Sequence, residues 1–151
     1  MGVLRRFLRS GHPLIGGAMI LLAVGATALL FIEGAGPGVA ALPVVPKQAP
    51  GSDKFWHFLA HFCVTLLLFC GGLLWRRRPR HSRRWPLATL AFAVDFAGGL
   101  TVELVQMFAG AAHGRRFEYG DLAANASGAL AAVAIGVALW TIIVPPRSRR
   151  G

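Results

Sequence analysis

The chain has 151 residues, is 55% hydrophobic and only 15% charged, and carries a formal net charge of +10 with a mean hydropathy of +0.57. That balance excludes an ordinary soluble domain and fits a chain built for a bilayer. Nucleic acid is excluded as a partner because the arginines are gathered into runs between apolar stretches, where they set topology and attract anionic lipid.

Four apolar stretches, about 14–32, 55–75, 85–109 and 122–144, predict four transmembrane helices, since about 20 residues of helix cross about 30 Å of hydrocarbon. Nothing is left over for a soluble domain, so residues 1–151 form a single all-α membrane domain. The first stretch is uncharged and longer than the apolar region of a signal peptide, which predicts an uncleaved anchor. A loop rich in Gly, Pro and Ala follows (33–52), and Ser52 or Asp53 is placed to cap the second helix. Cys63 and Cys70 lie about 10 Å apart along that helix, too far to bridge each other. Trp75 and Trp85 bracket an arginine-rich loop as interface anchors. Asp121 is expected to cap or open the fourth helix, which ends before Pro145 and Pro146. Ala124, Gly128, Ala132 and Gly136 give that helix a small-residue stripe that invites close packing and permits a homo-oligomer. Asn125-Ala126-Ser127 matches a glycosylation sequon, but inside a span it is discounted.

Arg5, Arg6 and Arg9, the run from Arg76 to Arg84, and Arg147, Arg149 and Arg150 all fall on one side of the predicted spans. Only Lys47, Lys54, Arg115 and Arg116 fall on the other. The positive-inside rule then places both termini in the cytoplasm. The start of the second helix, the end of the third and the start of the fourth meet at the external face.

Those three ends carry the polar side chains. Asp53, His57 and His61 repeat at i, i+4, i+8 on the second helix. Asp95, Gly99, Glu103 and Gln106 form a stripe on the third, and Asp121 and Asn125 share a face of the fourth. His57, Gln106 and Asn125 lie about 6 Å below the face, Glu103 about 10 Å and His61 about 12 Å. Asp95, near mid-membrane, has no account beyond its stripe. Ionisable groups in hydrocarbon are costly, and a cluster of them at matched depth marks a functional site.

The pattern Asp53-Lys54-x-x-His57, Glu103-x-x-Gln106, then Arg115 followed by Asp121-x-x-x-Asn125-x-x-Gly128 resembles the VanZ-like family of small bacterial membrane proteins, over about residues 40–140. Two departures stand out. His61 replaces what is more often an aromatic residue, and the stretch from Gln106 to Arg115 is longer than usual. The resemblance implies a multi-pass protein of the bacterial inner membrane that affects tolerance to glycopeptides with lipid tails (teicoplanin-type antibiotic resistance). It supplies a phenotype and no reaction.

Three classes of function stay open. In the first, Asp53, Lys54, His57, Glu103, Gln106, Arg115, Asp121 and Asn125 bind a membrane-lipid headgroup, a lipid-linked cell-wall precursor or a lipoglycopeptide. Cations then meet phosphate, while amides and carboxylates meet hydroxyls and amines. This is the preferred expectation, with no catalysis and no cofactor. In the second, an intramembrane hydrolase or transferase uses His57, Glu103 or Asp121 as acid and base, or holds a metal through His57, His61 and Glu103. In the third, the same side chains only hydrogen-bond helices together. A proton relay through Asp95, Glu103 and His61 is the remaining use of such groups.

Overall fold

The computed structural model describes Val3 and residues 12–35, 52–75, 84–109 and 116–144. They form four helices: α1 (Pro13–Ala35), α2 (Ser52–Trp75), α3 (Arg84–Phe108) and α4 (Tyr119–Ile143). Each is long and apolar enough to cross a membrane. Two begin earlier than the apolar runs suggest. α2 takes in Ser52, Asp53 and Lys54, and α4 takes in Tyr119 and Gly120. A helix that ends at a polar surface continues past the last apolar residue, so apolar length underestimates it. Pro86 fits the start of α3, where no intrahelical partner for its missing N–H is needed. Arg115 lies outside the described residues.

Backbone approaches set the arrangement. α2 and α4 run parallel, with Gly128 against the Phe58 carbonyl and Gly136 against the Phe69 ring. The small-residue stripe of α4 is therefore filled by α2 of the same chain. α1 runs antiparallel to α2, Gly16 lying against the Trp75 backbone and Gly71 against Ile20. The His12 N–H donates to the Leu74 carbonyl at 2.8 Å and fixes that crossing. α3 runs antiparallel to α2, with Leu87 near Gly72 at one end and Gly99 near His61 toward the other. α2 and α3 pack against one another and against both remaining helices, so α1 and α4 flank them.

The two ends of the bundle differ. At one, Phe69, Leu73, Ala88, Ala91, Val137, Trp140 and Val144 form an apolar core. At the other, the buried face carries His61, Thr65, Asp95, Glu103, Gln106, Asp121 and Asn125. Leu21, Leu22, Leu29, Leu90, Val94, Leu130, Leu139 and Ile142 point outward. In water such a surface would be a large association patch; against lipid tails it is an ordinary one.

Candidate functional site

The polar end is built from α2, α3, α4 and the residue before α4. Glu118 takes the N-cap position of α4 with an extended backbone and no side-chain cap bond. Asp121 therefore does not cap the helix; of the two places the sequence allowed, it takes the one that opens it. It lies inside the first turn, where the positive end of the helix dipole favours a carboxylate, and this frees its side chain for other contacts.

Lys54 bridges α2 to α4. Its ammonium lies 3.1 Å from Asp121 Oδ1, 3.2 Å from Glu118 Oε2 and 3.5 Å from Asp53 Oδ2. Gly120 permits the approach, because a Cβ there would lie 2.8 Å from the Lys54 Cε. Lys54, Asp53 and Glu118 are about half exposed, whereas the Asp121 carboxylate is nearly buried. The cluster thus opens outward and closes inward.

One turn deeper, His57 Nδ1 lies 3.0 Å from Asn125 Oδ1, and His57 Nε2 lies 3.6 Å from Asp121 Oδ2. An amide oxygen only accepts, so the Nδ1 contact is a hydrogen bond when Nδ1 carries the proton. Nε2 faces a carboxylate oxygen at a distance too long for a hydrogen bond. Glu103 is fully buried. Its Oε2 accepts the Glu118 backbone N–H at 3.3 Å, while Oε1 has no hydrogen-bond partner. The Nδ2 of Asn125, a residue 1% exposed, is likewise unpartnered. Buried polar atoms left in this state are unusual and costly. Gln106 is buried on the same face of α3 as Glu103.

His61 belongs to a second group. Its Nδ1 lies 3.0 and 3.1 Å from the two Asp95 oxygens, and Thr65 Oγ1 donates to Asp95 Oδ2 at 2.7 Å. Asp95 and His61 are each 4% exposed and Thr65 is fully buried. Gly99 stands between the two groups, where a Cβ would lie 2.8 Å from His61 Cε1 and 3.2 Å from Asn125 Nδ2.

The structure therefore divides the residues singled out from the sequence. Asp53, Lys54, His57, Glu103, Asp121 and Asn125 come together, with Gln106 on the adjoining face. The His57–His61 pair is split. Among the described residues, the sets with one ligating atom each within 4.8 Å of the others are His57, Glu103 and Asp121, and Asp53, Glu118 and Asp121. His61 is in neither. Thr65 and Glu118 were missed. Thr65 continues the i, i+4 series of Asp53, His57 and His61 and was legible there, whereas Glu118 precedes its apolar run and carried no such signal. No protein-family model, curated protein or solved structure matches the chain.

Proposed function

We propose that the chain is a VanZ-like multi-pass protein of the bacterial inner membrane, with both termini cytoplasmic. On this reading it binds the polar headgroup of a lipid or lipid-linked cell-wall precursor at its external face, and thereby affects tolerance to lipoglycopeptides of the teicoplanin type. One observation carries the binding role: His57, Glu103, Asp121 and Asn125 converge from three helices with Glu103 Oε1 and Asn125 Nδ2 buried and unpartnered. A purely structural network satisfies its members, because each orphaned group costs about 1–3 kcal/mol. This one offers an acceptor and a donor to something else. The exposed mouth adds Lys54 and Arg116, with Arg115 next in sequence, as cations for phosphate, and Asp53 and Glu118 as acceptors for amines and hydroxyls. The arginine distribution supports placing this mouth outside.

The test is native mass spectrometry of protein purified in mild detergent, beside drug susceptibility of the expressing strain. Wild-type protein retains an anionic or polyprenyl lipid and shifts lipoglycopeptide susceptibility. Glu103→Gln and Asp121→Asn lose both while remaining folded. Wild-type protein that enriches no lipid, or variants that keep the phenotype, would overturn the proposal. A hydrolase or transferase is favoured by one feature, the basic His57 Nε2 beside two carboxylates. Turnover of the retained lipid by wild-type protein, abolished in His57→Ala, distinguishes it.

A further inference from the structure

Each of the three central side chains has one polar atom held from outside and one aimed inward. On His57, Nδ1 lies against Asn125 Oδ1 and Nε2 faces Asp121. On Glu103, Oε2 is held by the Glu118 N–H and Oε1 is unpartnered. On Asp121, Oδ1 is held by Lys54 and Oδ2 faces His57 Nε2 at 3.6 Å. Potential ligand atoms of three residues thus converge within 4.8 Å of one another. This is the pattern in which outer hydrogen bonds fix the tautomer and orientation of metal ligands.

We infer that His57, Glu103 and Asp121 bind a single first-row divalent cation, Zn²⁺ or Mn²⁺, with Asn125, the Glu118 backbone and Lys54 as the outer partners that orient them. One separation fits an ion directly, and the ligand atoms of all three residues lie within 4.8 Å of one another. Two donors at about 2.1 Å from a tetrahedral ion lie roughly 3.4 Å apart, close to the observed 3.6 Å between Nε2 and Oδ2. The charges fit as well. Two carboxylates neutralise a dication, and Glu103 Oε1, which has no hydrogen-bond partner among the described residues, gains a partner. An imidazole nitrogen with two carboxylate oxygens favours Zn²⁺ or Mn²⁺ over Mg²⁺ and Ca²⁺, which prefer all-oxygen sites. Three protein ligands leave a fourth position open, the arrangement of a site that engages an outside group. The metal reading goes beyond headgroup binding, and either can fail alone.

The experiment uses full-length protein in detergent, stripped with chelator, dialysed and titrated with ZnCl₂ or MnCl₂ in the absence of added lipid. Bound metal is read by elemental analysis and the folded state by circular dichroism. Wild-type protein takes up one ion per chain, and Co²⁺ substituted for it shows d–d absorption of a low-coordinate site. His57→Ala and Glu103→Gln abolish uptake. Asn125→Ala, which touches no metal, weakens affinity by about 10–100-fold, while His61→Ala changes it by less than about twofold. If His57→Ala fails to fold, the Asn125→Ala and His61→Ala pair still decides. Folded wild-type protein that takes up neither ion, tighter binding of Mg²⁺ or Ca²⁺, or equal losses in Asn125→Ala and His61→Ala would overturn the inference.

Discussion

His57 and His61 stand one helical turn apart on the same face of α2, yet they belong to chemically different regions. His61 Nδ1 meets both oxygens of Asp95, and Thr65 donates to one of those oxygens, so both oxygens of the deeper carboxylate are engaged within the trio. Around His57, by contrast, Glu103 and Asp121 are each held by a hydrogen bond at one oxygen only. Both groups are expensive in hydrocarbon. A closed network recovers that cost as helix–helix adhesion, whereas an open one keeps its strongest acceptors available. Depth alone therefore does not mark function. What marks it is polar capacity left over after neighbouring residues have been satisfied.

The largest expected effect comes from breaking the closed trio. Asp95→Ala leaves His61 and Thr65 buried without their acceptor. It is expected to cost about 3–5 kcal/mol, the usual result of removing one partner of a buried pair, measured by unfolding in detergent. Little loss would mean that the trio is not structural. Next is the contact that sets the register of both groups. Gly128→Ala drives a Cβ into the Phe58 carbonyl, and is expected to cost about 1–3 kcal/mol by overpacking. It should also loosen the His57–Asn125 contact, which depends on the same α2–α4 approach. The smallest effect is expected at the mouth. Lys54→Met removes ion pairs to the half-exposed Asp53 and Glu118 and to the nearly buried Asp121, and should lower stability least of the three while disturbing ligand binding through Asp121.

Much of this arrangement was legible in the residues. Apolar length gave four helices, and the i, i+4 series gave the polar face of α2. Matched depth brought Gln106 and Asn125 to the level of His57, with Glu103 about 4 Å deeper and Asp121 nearer the face. Partner choice was not legible. Whether Asp95 or Asp121 meets a given histidine depends on the rotation of each helix about its axis. That rotation is set by close approaches at Gly99, Gly128 and Gly136, which sequence marks as small without saying what fills them. The lone Asp95, unexplained by its stripe, acquires its meaning only when α3 packs antiparallel to α2. Glu118 was missed for a related reason: besides its side-chain pair with Lys54 it acts through its backbone N–H, and backbone donors carry no sequence signature.

The distinction between the two regions is tested most directly by comparing the unfolding free energies of Glu103→Gln and Asp95→Asn in one detergent, in chelator and without added lipid. Glu103→Gln removes a buried charge that is only partly compensated, so its stability should equal or exceed that of wild type, as is common where a site trades stability for function. Asp95→Asn weakens a closed network and should fall below wild type by about 1–3 kcal/mol. Equal losses in the two variants would contradict the account and make Glu103 a structural residue like Asp95.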